Sequence, residues 1–143
     1  MKSVTWENVG IDRIGCAWLI RRFVDPKAEF TFIPEGSAAV PQGTEPFDIP
    51  GVKLSHHHGH CSFHAMLREF KLTHDPILNR IARIIDEADT VQEASLEPAA
   101  PGLDLLCHGV RLISRNDSEA SERGAVLYNA LYEALKQEAA AAA

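Results

Sequence analysis

A mostly α-helical fold with a minor β component is what this sequence predicts, as about five helices and two short strands in a compact α+β arrangement. Three observations lead there. Apolar residues recur at helical spacing over most of the chain, alternation of strand type is confined to short runs, and a Gly- and Pro-rich stretch separates those runs. With 143 residues, 45% of them apolar, residues 1–143 are read as one domain with a real core.

The first helix is expected over "IDRIGCAWLIRRFVD", with Asp12 as its N-cap and the Asp25-Pro26 pair as its end. At about 100° per residue, Phe23, Cys16, Ile20, Val24 and Ala17 form an apolar arc, and Trp18, Ile14 and Leu19 wrap much of the rest. "EFTFIP" alternates with aromatic β-formers and reads as a strand, and "GVKLSH" as a second. "EGSAAVPQGTEPFDIPG" between them reads as irregular loop. A helix starts at "CSFHAMLREFKL", where Phe63, Met66, Leu67 and Phe70 are helically spaced. "HDPILNRIARIIDEADTV" is the best specified helix, with Asp75 as N-cap and Pro76 at its first position. Two more follow, at "GLDLLCHGVRLIS" and, capped by Asn116 or Asp117, at "SEASERGAVLYNALYEALKQ". The tail, "EALKQEAAAAA", favours helix but is chemically blank, and residues 139–143 are read as frayed or extraneous.

A net charge of −6 and a pI near 5.6 argue against a general nucleic-acid binder, which needs a basic surface. "MKSVTWENVG" lacks the basic flank and apolar run of a signal peptide, and no run reaches membrane-spanning length. A soluble cytoplasmic protein is expected, with no membrane partner and with homo-oligomerisation left open. Cys16, Cys61 and Cys107 are an odd set without a CxxC pair, which speaks against a disulfide framework or a thiolate zinc cage.

Several residues break the apolar pattern. In the helix from Pro76, Asp89 falls by angular count between Leu78 and Ala82 within the apolar arc, with Asp86 at its edge. A buried carboxylate needs a cation, a metal ion or several donors. Arg13 falls likewise between Ile20 and Val24, so one reading pairs Arg13 with Asp89 in a buried ion pair, which need not exclude a site beside it. The other starts from "LSHHHGHCSFH", five histidines and a cysteine in residues 54–64. Read as a strand, it turns His56 and His58 to one face and His57 to the other, and His64 lies one turn into the next helix. The expected metal ligands are His56, His58, His64, Asp86 and Asp89, with Arg13 and Cys61 as anion-binding or ligand-orienting neighbours. Such a mixed N/O set suits a divalent transition metal, Fe(II) or Mn(II) in preference and Zn(II) as well. Against it stands a solvated loop that collects metal adventitiously. His74 and His108 are given no ligand role.

"DRIGCAWLIRRFVDPKAEFTFIP", "PFDIPG", "SHHHGHCSFHAML" with "FKLTHDPIL", and "IARIIDEADTV" resemble, in order and spacing, the C-terminal domain family of the chromate resistance protein ChrB. The likeness runs from about Asp12 to the final helix. Members of that family occur as regulators with an extra N-terminal domain, as stand-alone domains, and fused to sulfurtransferase-like domains. The resemblance therefore implies a ligand-handling part, here expected to stand alone. Two departures stand out: His64 replaces the acid of CSFE or CTFE, and Asp86 replaces a histidine before Glu87. If both touch one ion, the exchange keeps ligand number and charge. The expected function is a small metalloprotein, with enzymatic action on a small anionic substrate left open. The alternative is a non-catalytic sensor or resistance accessory that binds chromate or a similar oxyanion.

Overall fold

The computed structural model describes residues 1–90 and 95–143. Strand β1 (Lys2–Trp6) leads to helix α1 (Ile11–Leu19), which continues as a π-helical turn (Ile20–Val24) into strand β2 (Glu29–Ile33). Strand β3 (Glu45–Pro46) is short, and helices α2 (Ser62–Glu69), α3 (Pro76–Asp89), α4 (Ala99–Ile113) and α5 (Asp117–Ala142) follow. The mostly helical α+β expectation is met, with five α-helices beside a sheet of order β2-β1-β3 among the described residues.

The sheet is parallel throughout, so its strands need crossovers. Helix α1 supplies one, with Lys2 opposite Glu29 and Trp6 opposite Ile33. The central strand β1 was not among the expected strands. It is five residues long, and its buried residues include the polar Ser3 and Thr5, so it carries no alternating signal. The expected strand "GVKLSH" is a correction: those residues form turns, and only Leu54 bridges to Phe47. The parallel sheet closes with Glu45 and Pro46 instead.

Helix α1 is central and packs against all four other helices. Its N-cap is Gly10, not Asp12, which lies in the first turn and is buried. At its far end Asp25 closes the π-helical turn by donating its N–H to the Ile20 carbonyl. Trp18 stacks on Tyr128 and Phe63, and its indole N–H donates to Asn129 at 2.7 Å. The buried Tyr128 hydroxyl donates to the Ile11 carbonyl at 2.6 Å. Helix α5 comes this close only because Gly124 faces Ile14, whose side chain occupies the space of a Cβ there. Asp75 caps α3 by accepting from Ile77 and Leu78, and Asn116 caps α5 by accepting from Glu119, as the sequence indicates. Val91, read as the last residue of the α3 helix, lies outside the described residues. Helix α5 keeps its conformation to Ala142, although everything after Leu135 is exposed. No helix of the described residues is long and apolar enough to cross a membrane.

Gly124→Ala forces overpacking of α1 on α5 and should cost about 1–3 kcal/mol. A urea titration followed by circular dichroism checks this, and an unchanged midpoint would contradict the close approach of the two helices.

Candidate metal centre

A cleft of about 540 Å³ opens where strands β1 and β3 end, beside the start of α1. The carboxyl ends of parallel strands are the usual place for a ligand crevice. Its walls include Trp6, Asn8, Ile49 and Pro50, and its floor carries Asp12, Asp48, His56 and Asp89. Asn8 and Asp48 have positive φ, at 65° and 49°, a region that Asn and Asp enter more readily than most residues.

Asp12 is built into the core. Its Oδ2 accepts from the Ser62 N–H at 2.8 Å and its Oδ1 from the Phe63 N–H at 3.0 Å. These are the first amides of α2, which has no side-chain cap of its own. The Cys16 thiol adds a third donor at 3.5 Å. A carboxylate has about four lone-pair sites, so one remains, and Oδ2 directs it at His56 Nε2, 3.0 Å away.

That nitrogen has further acidic neighbours. Asp89 Oδ2 lies at 3.3 Å and Asp48 Oδ1 at 3.6 Å. One N–H points at one acceptor, yet three carboxylates converge on it. Arg13 joins from the side, with Nε at 3.1 Å from Asp48 Oδ2 and Nη2 donating to the Asp48 carbonyl at 3.0 Å. Ser62 Oγ donates to Asp48 Oδ1 at 2.6 Å. With His56 neutral, three carboxylates face one guanidinium, and the floor holds uncompensated negative charge.

Proton affinities follow that charge. Burial, with Asp12 adding to it, pushes the Asp48 carboxyl up to about 7 against the pull of Arg13. Burial and then Asp12 lift Asp89 to about 6. The hydrogen bond that His56 donates to Asp12 raises His56 to about 9, although partial burial opposes it.

Asp12, His56 and Asp89 each bring one donor atom to within 4.8 Å of the others, the only such trio among the described residues. Ligands at right angles on an ion with bonds of ~2.1 Å sit ~3.0 Å apart, and tetrahedral ones ~3.4 Å apart. The His56 distances of 3.0 and 3.3 Å fall in that interval.

The other expected ligands lie elsewhere. Residues 56–60 are not a strand. His57 and His60 exchange backbone hydrogen bonds around a tight turn in which His58 (φ 52°) and Gly59 (φ 77°) are left-handed. His58 is therefore exposed at the tip and His56 alone enters the cleft. His64 stacks on His60 at 4.2 Å, and His60 Nδ1 lies 2.9 Å from Asp86 Oδ2. The exchanged pair His64 and Asp86 thus flank His60, apart from the trio. Asp86 Oδ1 also accepts from the Cys61 N–H at 2.7 Å. The buried Cys61 thiol points to the Ala82 carbonyl, and burial raises its proton affinity well above that of a free thiol.

Two expectations are corrected. Arg13 pairs with Asp48, not with Asp89. Asp86 is buried, whereas the Asp89 side chain is 38% exposed. The angular count finds a direction but not an axial position: Asp89 is the last residue of α3, where the core has given way to the cleft. Asp12 and Asp48 were missed as site residues. Asp12 stands one turn before Cys16, on the buried face, which was a legible signal. Asp48 sits in an irregular segment, where periodicity says nothing.

The family model described as "ChrB, C-terminal domain" matches residues 3–135. This chain belongs to the ChrB C-terminal domain family. Over 128 residues it is 31% identical to Protein ChrB of Cupriavidus metallidurans, an alignment covering 90% of this chain and 39% of that protein. This ChrB C-terminal domain thus spans well under half the length of that curated relative. No solved structure matches it.

Asp86→Ala strands the buried Cys61 amide and should destabilise the domain by about 1–3 kcal/mol, more than Asp89→Ala in metal-free protein. Denaturant midpoints of the two variants check the order, and equal small losses would contradict it.

Asp89, Asp48 and His56 all hold protons more tightly when folded than in an unfolded chain, where carboxylates titrate near ~4 and histidine near ~6.5. Their stabilisation is present at low pH and is lost as pH rises through about 6, 7 and 9 in turn. Melting temperatures of chelator-treated protein should decline from pH 6 to 9, and His56→Gln should flatten the portion above pH 7. The same slope in both proteins would count against the cluster.

Proposed function

We propose that this domain binds one divalent transition-metal ion through Asp12, His56 and Asp89, with the cleft above it open to a small ligand. The observation that carries this reading is the single imidazole nitrogen facing three carboxylates: one proton cannot bridge all three, and a divalent cation displacing it would match the charge that a neutral His56 leaves on the floor. The donor chemistry fits, since one imidazole and two carboxylates suit Fe(II), Mn(II) or Zn(II), and the cleft is lined by no thiol among the described residues, the buried Cys16 reaching only the core side of Asp12. Backbone amides hold Asp12 and fix its free lone pair, as hydrogen-bonded neighbours do for metal ligands generally.

A bound ion would supply Lewis acidity toward an anionic group in the cleft. Arg13 holds Asp48 in place and, engaged there, is not a free receptor for anions. An oxyanion meeting the carboxylates without a cation would be repelled. Binding of chromate or a related anion, the role suggested by the family resemblance, accordingly runs through the metal, whether as sensing or as chemistry. The volume of about 540 Å³ suits a small molecule.

Metal analysis of protein purified without a histidine tag or nickel resin tests this. About one equivalent of metal is expected in the wild type, falling at least tenfold in affinity in His56→Ala and in Asp89→Asn, while His58→Ala and His64→Ala retain it. Equal partial losses in all four variants would show an adventitious chelating loop.

A further inference from the structure

Helix α4 carries an unusual outer face. Leu105, Leu106, Leu112 and Ile113 are 56–71% exposed on one helix, a contiguous apolar surface of the kind that marks an interaction site. Along its length Ala99, Gly102, Leu106, Gly109 and Ile113 follow one another at intervals of three and four residues, the spacing of a helix-pairing seam. Leu105 and Leu112 lie along one flank of that seam. Among the described residues nothing fills the glycine positions: a Cβ at Gly102 or Gly109 would meet no atom within 4 Å. The glycines weaken the helix relative to alanine, and the exposed leucines gain nothing from water.

We infer that α4 is the interface of a symmetric homodimer, paired antiparallel with α4 of a second copy of this chain. The occupant follows from the seam's own pattern. With the two-fold axis between Cys107 and His108, Leu106 of one copy faces Gly109 of the other, and Ile113 faces Gly102. Each layer then combines one large residue and one glycine hollow, and every layer occurs twice, as an isologous interface requires. A parallel pairing in register puts glycine on glycine and leucine on leucine, leaving gaps beside clashes. The glycines let the backbones approach closely, which brings the flanking Leu105 and Leu112 into the contact. The four side chains, each more than half exposed, would supply part of the roughly 800 Å² that each partner buries in a standard interface. Asp104 and Arg111 lie on the other side of α4, along a hollow shared with Asn8 and Gly10, so the cleft stays open in the dimer.

Sedimentation velocity across a dilution series should show a dimer that dissociates on dilution. Leu106→Asp should abolish it, because the charge enters the interface twice, while leaving the melting temperature of the monomer unchanged. A second readout fixes the register. Eleven residues of helix span about 16 Å, so Gly102→Cys protein cannot crosslink to itself in this arrangement, nor can Ile113→Cys protein. A mixture of the two should form a heterologous disulfide under mild oxidation, and the native cysteines, all buried, do not compete. A monomer at every concentration would leave this face to a different partner and overturn the inference. Self-crosslinking of Gly102→Cys protein would overturn the antiparallel register.

Discussion

The carboxylate of Asp12 joins the fold to the site. Helix α2 begins in the interior, where its first amides have neither water nor a capping side chain of their own. Each such amide left unpaired costs about 1–3 kcal/mol. Asp12 answers two of them from α1 and Asp86 answers a third from α3, so three helices meet at two carboxylates. The helix dipole of α2 places its positive end against both side chains. Removing Asp12 would open the junction of α1 with α2 as well as the floor of the cleft.

The floor's composition follows from that constraint. Once Asp12 is fixed in position, every further acid near it raises the local negative potential. Asp48 is tolerated beside it because Arg13 and Ser62 hold its oxygens. Asp89 is tolerated because it is the half-open end of α3 and because His56 lies between it and Asp12. A protonated His56 lowers the repulsion in the metal-free state, and a divalent ion would do so more completely. Under the proposed function, protons and metal would compete for the same floor, and metal affinity would rise with pH.

The histidine-rich stretch divides its residues between two environments. A turn through left-handed His58 and Gly59 sends His56 into the cleft and His60 toward Asp86. His60 stacked on His64 forms part of a separate, more exposed surface with His57, Lys53 and Arg68, where cations compete with any ion. Nearness in sequence thus says little about a shared ligand set, because two residues of positive φ reverse the chain between neighbours.

Much of the fold could be read from the sequence alone. Helical periodicity, Asp75 followed by Pro76 and the cap at Asn116 specify α3 and α5, because these signals act within one turn of backbone and need no partner. The motif words likewise determined the family. Tertiary structure alone decided the rest. Strand β1 is legible only with β2 and β3 beside it, since its buried polar residues carry no alternation. The burial of Asp86 and the exposure of Asp89 depend on where α3 leaves the core, an axial position that an angular count does not contain. Of the candidate site, His56 and Asp89 were named from residue type and angle. Asp12 and Asp48 come to the same nitrogen from 44 and 8 residues away, and a convergence of that kind exists only when the helix start at Cys61 is folded against α1.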